Sequence, residues 1–231
     1  MRRKNRQRRG VFITFEGIEG SGKTTQCARL AKALRDLGLK VVETREPGGT
    51  PLAERIRDLL LEPDSPRGGE LVAPLCEAYL ILAARSQHVE QLVQPALTDG
   101  AIVLCDRFAD STLAYQGYAR GLDRRLLMQL SRVASHGLAP DVTFLFDLPI
   151  EEGLSRRRSE ELHGAQQNRI DRESLAFHNR VRRGFLDLAR RDPGRITVLD
   201  GAGDPDSLAE KVRSRVVAFL KKRRVKPVIK S

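Results

Sequence analysis

The sequence predicts an α/β fold in three layers: a five-stranded parallel sheet with helices on both faces and a short lid. Two observations carry this. Five short strand-like runs recur along the chain at residues 11–15, 40–44, 101–105, 141–146 and 195–199. The first and third (VFITF and AIVLC) are apolar almost throughout, as strands covered on both faces are. Between the runs lie stretches with helical spacing, and alternation of the two element types is the pattern of a parallel sheet.

Taken in order, residues 11–15 form the first strand and run into a glycine-rich turn. Ala28, Leu30, Ala31, Leu34 and Leu37 then fall at helical spacing over 23–37, and Gly38 supplies the C-cap. The second strand, 40–44, stops at the turn Pro47-Gly48-Gly49, and residues 52–61 read as a helix. Residues 62–69, with two prolines and two glycines, read as a loop. Two helical stretches fill 70–98, with a bend before Pro95. The third strand, 101–105, ends in Asp106-Arg107, and the fourth, 141–146, ends in Asp147. Further helices are expected near 123–135, 150–162, 172–191 and 205–223. The polar stretch 160–168, which contains Gly164, lies between two helical patterns and is either a mobile lid (about 153–171) or an ordinary surface loop.

The 231 residues suit one sizeable domain, expected over 11–220. The net charge is +11, yet residues 1–9 and 221–231 carry six positive charges each and no acid. Those twelve charges exceed the net +11 by one, so residues 10–220 carry a net −1. Residues 1–10 and 221–231 are therefore expected to be disordered basic tails, either solvated or in contact with nucleic acid. No apolar run approaches the ~20 residues of a membrane span. Cys27, Cys76 and Cys105 form neither a zinc spacing nor a disulfide framework, and so point to a reducing cytoplasm. The four histidines form no metal-ligand set.

Chemistry enters at Gly17-Ile18-Glu19-Gly20-Ser21-Gly22-Lys23-Thr24, which matches G-x-x-x-x-G-K-[ST] at every fixed position and lies between a strand and a helix. Glycines let backbone N–H groups turn in around phosphates, and the helix N-terminus adds its positive end. Lys23 is placed to reach the β- and γ-phosphates of ATP, and the Thr24 hydroxyl to bind Mg²⁺. The fold expected is accordingly that of P-loop NTPases. Asp106 ends a strand of the same sheet, where ligands gather, and is a second candidate for Mg²⁺; a strand-end ion pair is the plainer alternative. Arg107 can clamp an anionic oxygen. Arg45 and Glu46 lie at the carboxyl end of the second strand. Ser111, Thr112, Tyr115 and Gln116 follow Asp106 closely. Arg156, Arg157 and Arg158 precede the polar stretch, as a solvated helix face or as charges for a transferring phosphoryl group.

Several segments together resemble bacterial thymidylate kinases: Phe15-Glu16-Gly17 running into the P-loop, Thr44 through Gly49, Cys105 through Phe108, and Asp110 through Tyr118. Asn168 through Asp171 and Phe177 through Arg182 extend the likeness, which covers about residues 11–220. The resemblance implies transfer of the ATP γ-phosphoryl group to dTMP with Mg²⁺, in dTTP synthesis, by a cytoplasmic homodimer. It implies that Arg45 and Arg107 hold the acceptor phosphate and that Glu19 faces the acceptor sugar, with Tyr115 beside it. Arg85, Thr112 and Gln116 would read the base, with Glu46 and Arg57 lining the same pocket and Ser111 beside them. Because no Arg follows Glu19, it implies a catalytic arginine from the lid, at Arg156 or Arg158, beside Lys23, Asp106 and Arg107. Ile81, one helical turn before Arg85, stands where the family usually carries a base-stacking Phe. Two alternatives remain: a related kinase acting on dUMP, UMP or CMP, and a regulatory P-loop NTPase that binds nucleic acid through its basic tails.

Overall fold

The computed structural model describes residues 10–62, 71–162 and 168–225. The five strands are β1 (Val11–Gly17), β2 (Val41–Arg45), β3 (Ile102–Asp106), β4 (Val142–Asp147) and β5 (Ile196–Asp200). They form one all-parallel sheet in the order β2-β3-β1-β4-β5. The fold class expected from the sequence is the one observed. Centre and edge differ in pattern for a physical reason. β1 is buried at every position, while the edge strands β2 and β5 have one face partly open to water.

The period of two along β1 sorts its side chains between two cores. Val11, Ile13 and Phe15 point to one face, where α1 (Lys23–Asp36) and α9 (Pro205–Arg223) bring Leu30, Leu34, Val212 and Val216 against them. Phe12 points to the other, where it meets Val89, Val93, Leu97 and Phe108. That second face is built by α3 (Pro74–His88), which continues through a π-helical turn (Val89–Val93) into α4 (Gln94–Thr98). The remainder of this face is α5 (Ala109–Thr112), a π-helix (Leu113–Ala119) and α8 (Leu175–Arg191). α2 (Pro51–Leu61), α6 (Arg124–Ala134) and α7 (Ile150–Leu162) complete the described elements.

Three differences from the expected elements are informative. Residues 109–119, to which the sequence assigns no element, form α5 and the π-helix. α8 begins at Leu175, because the Ser174 side chain caps it by accepting from the Phe177 N–H. Gly10, counted in the basic tail by its neighbours, is buried. Its N–H donates to the Leu97 carbonyl at 2.9 Å, and a side chain there would meet the Ala101 carbonyl at 2.2 Å. At the other end, α9 runs on to Arg223, and Val225 packs against the core beside Leu220. Residues 1–9 and 226–231, which carry the rest of the tails, lie outside the described residues, as do 163–167 of the expected lid.

Candidate active site

Register brings the chemistry together. β1, β3 and β2 pair so that Phe15 and Arg45 both lie level with Asp106, and the loops leaving these strands share one edge of the sheet. There the chain encloses a cleft of about 580 Å³. One end is the P-loop. Gly17 and Gly20 adopt φ of 142° and 68°, and a side chain at Gly20 would strike the Gly153 carbonyl at 2.2 Å. The Lys23 ammonium is turned into its own loop, donating to the Ile18 carbonyl at 2.6 Å and to Ser21 Oγ at 3.2 Å. Burial, with Arg107 nearby, pushes it down to about 8. The Ile18 side chain packs into the core, so only the backbone of this residue faces the loop.

The Thr24 hydroxyl donates to Asp106 Oδ2 at 2.5 Å, while Asp106 Oδ1 is buried without a hydrogen-bond partner among the described residues. Asp106 is therefore held by a hydroxyl and is not the strand-end ion pair that its neighbour suggests. A lone buried carboxylate oxygen beside a hydroxyl is a donor set that fits Mg²⁺. Among the described residues, no group of three or more His, Cys, Asp and Glu forms a protein-only cage.

Arg107 has a positive φ of 70°, an unusual conformation for a residue with a side chain. It turns the guanidinium back across the sheet edge. Nη1 donates to the Gly17 carbonyl at 2.8 Å and Nη2 to Glu19 Oε1 at 3.0 Å. The following loop is anchored from beneath by Glu16, which accepts from the Phe108 N–H at 2.8 Å and the Ser111 hydroxyl at 2.6 Å. Burial, with Asp110 close by, pushes the Glu16 carboxyl up to about 8. Glu19 also accepts from the Tyr115 hydroxyl at 2.6 Å. Burial alone would raise Glu19, but Arg107 and Lys23 outweigh it and hold the carboxyl below the usual range. His178 lies 3.7 Å from its other oxygen.

Arg45 and Arg57 line the cleft next to Arg107. Arg45 reaches Glu54 at 2.9 Å, and Arg57 donates to the Pro47 carbonyl at 3.0 Å. Burial first, and then Arg45 and Arg107, lower Arg57 against the opposing pull of Glu54 and Asp106. This end of the cleft suits an anion.

Beyond it lies an enclosed polar corner. Arg85 is buried, donating to Glu46 at 2.8 Å and to the Thr112 hydroxyl at 3.0 Å. The other oxygen of Glu46 is engaged by His88 at 2.9 Å. Both oxygens have partners inside the protein, so Glu46 holds Arg85 in place while also lining the cleft. Ile81 is half-buried and lines the cleft beside Arg85, with Thr112, Tyr115 and Gln116 opposite.

Of the three consecutive arginines, only Arg157 lines this cleft, with Arg169. Arg157 also pairs with Asp171 at 3.1 Å. Arg156 lies against the P-loop from behind, donating to the Gly201 carbonyl at 3.0 Å and reaching the Gly20 carbonyl at 3.5 Å. Arg158 is exposed and lines a separate hollow with Arg172 and Glu173. Sequence reasoning also missed His88 and Glu77. Both are polar residues on the inward face of α3, and their signal is a polar side chain on a helical stripe shared with Ala78, Leu82 and Ala84.

A parallel sheet with a P-loop at one end of a cleft, and an arginine-lined second pocket at the other, defines a P-loop nucleotide kinase. The thymidylate kinase family matches residues 15–212. A thymidylate kinase of Syntrophotalea carbinolica is 52% identical over 203 residues, spanning 87% of this chain and 92% of its own. One from Thermomicrobium roseum is 50% identical, over 94% of this chain and 99% of its own. The crystal structure of thymidylate kinase from Ehrlichia chaffeensis superposes with a TM-score of 0.67 at 36% identity, covering 91% of this chain and 98% of that one. The chain belongs to the thymidylate kinase family and is an ATP-dependent phosphotransferase of that family.

Proposed function

We propose that the chain transfers the γ-phosphoryl group of ATP to dTMP, giving ADP and dTDP, with Mg²⁺ as cofactor. The observation that carries this is the convergence of Arg45, Arg57 and Arg107 a short way along the same cleft as Lys23 and Thr24. A switch NTPase needs one phosphate site; a group-transfer enzyme needs two.

The acceptor phosphate is itself the nucleophile and is already anionic, so little general-base help is required. Catalysis reduces to positioning and charge neutralisation, which suits a site rich in Arg and Lys. The P-loop backbone and Lys23 hold the donor phosphates, and Arg45 and Arg107 hold the acceptor phosphate in line. Thr24 and Asp106 would hold Mg²⁺, which supplies positive charge to the phosphates when bound. Glu19, oriented by Tyr115 and Arg107, accepts from a sugar hydroxyl. Arg85 and Gln116 address the base edge, and Ile81 covers its face. Arg157, on the cleft side of α7, joins Arg156 and Arg158 as a candidate to neutralise the transferring group once nucleotides are bound.

The same reading makes the chain a cytoplasmic homodimer. α2 and α3 pack together and leave Leu52, Leu59, Leu75 and Tyr79 exposed on their outer side, an apolar surface that a second copy would cover. Among the described residues no helix is long and apolar enough to cross a membrane. The test is ADP release with a panel of acceptors, dTMP, dUMP, UMP and CMP. The highest kcat/KM is expected for dTMP. Turnover that ignores all acceptors but rises with DNA or RNA would replace this reading with the switch NTPase.

A further inference from the structure

Glu77 lies on the inward face of α3, buried, and is among the residues lining the cleft. Its carboxylate is surrounded by donors. Gln116 Nε2 donates to Oε1 at 2.7 Å. Arg120 donates to both oxygens, at 3.3 and 3.2 Å, and Arg169 donates to Oε2. Burial would raise the carboxyl, but Arg169, Gln116 and Arg120 hold it below its usual range, so it is ionised and can only accept. An amide facing an acceptor-only group must present its NH₂. Gln116 is therefore locked with Oε1 turned the other way. That oxygen is buried and has no hydrogen-bond partner among the described residues, on a residue that lines the cleft. A buried carbonyl oxygen left unpaired is costly, and a ligand N–H would satisfy it.

We propose that Glu77 is a specificity-determining positioning residue: by fixing the orientation of the Gln116 amide, it makes the cleft select a pyrimidine that carries an imide N–H. The adjacent Arg85 offers donors only, which suits a keto oxygen. Together, an acceptor at Gln116 and donors at Arg85 match the N3–H and O4 edge shared by thymine and uracil. Cytosine presents the reverse, a ring nitrogen acceptor and an amino donor, and would meet like against like at both points. The inference rests on the proposed reading of this cleft as the dTMP site, and it assigns the discrimination to a residue that acts through the Gln116 amide.

E77Q tests it. Arg120 and Arg169 keep the new amide oxygen on their side, so its NH₂ faces Gln116, which must flip and point its own NH₂ at the base. The expected result is a fall in kcat/KM for dTMP and dUMP of about tenfold to a hundredfold, carried by KM, from the mispaired buried groups. dCMP should not fall, so that the dTMP to dCMP ratio narrows by at least tenfold, and KM for ATP should hold. In a Q116A background, E77Q should leave that ratio unchanged. An equal loss for all three acceptors, or a narrowed ratio that persists in Q116A, would make Glu77 merely structural and overturn the proposal. If E77Q does not fold, Q116M must narrow the same ratio with Glu77 in place, and an unchanged ratio overturns the proposal equally. A wild-type enzyme that turns over dTMP and dCMP alike overturns this inference and the base reading beneath it. Normal wild-type preference with an unmoved E77Q ratio overturns this inference alone.

Discussion

Lys23 is buried among charges, and that gives its chemistry a pH signature. The ammonium is the form that binds phosphate, and it is lost as pH rises through about 8 because burial and Arg107 both favour the neutral amine. kcat/KM for ATP reports the free enzyme and should fall above about pH 8. kcat at saturating ATP should hold to higher pH, because phosphates beside the ammonium restore its charge. Identical alkaline limbs in both profiles would contradict this, and K23A should lose ~10²–10³ in rate below about pH 8. Ile81 makes a second residue-scale prediction. It lines the cleft one turn from Arg85, where an aromatic ring could lie over a base. I81F should tighten dTMP by ~0.5–1.5 kcal/mol, about threefold to tenfold in its KM, and leave ATP unchanged. Calorimetry showing an ATP effect without a dTMP effect would place this helix at the wrong nucleotide.

At the scale of elements, the P-loop and α7 are tied through the backbone. Gly20 sits with positive φ directly against the Gly153 carbonyl, so G20A must push the loop off α7. KM for ATP is expected to rise about tenfold or more with dTMP affinity largely kept, measured by nucleotide titration. This is also the scale at which the sequence was most and least legible. The strands could be read because β1 and β3 are buried on both faces and written in mostly apolar residues. The phosphate loop could be read because its eight residues are contiguous. The π-helix at Leu113–Ala119 could not, since a widened turn has no periodicity that separates it from a loop or an α-helix. Glu46 reads as a pocket residue at a strand end and does line the cleft, but the sequence did not show that its oxygens also hold Arg85 and His88. Three successive arginines are indistinguishable in sequence, yet successive helical residues point about 100° apart, and only Arg157 turns to the cleft. Glu77 was hidden for the same reason: an acid inside an apolar stripe shows its meaning only when its three donors are in place.

For the whole molecule, the charge is distributed away from the chemistry. The whole +11 excess lies in residues 1–9 and 221–231, whereas the sheet and its cleft form a nearly neutral body. Gly10 is already anchored to Leu97, so removing residues 1–9 should leave kcat and both KM values within about twofold of the full chain. A large fall in kcat would bring that segment into the active site, and a loss of DNA binding at low salt alone would give it a separate role. The central claim is that one cleft holds two nucleotides end to end, with Lys23 and Thr24 at the donor and Arg45, Arg57 and Arg107 at the acceptor. The most direct measurement is inhibition by a bisubstrate analogue in which adenosine and thymidine are joined through a chain of five phosphates. Such a compound should bind once per chain and compete with both ATP and dTMP. Competition with ATP alone, with dTMP still able to bind beside it, would show that the two phosphate sites do not share a cleft.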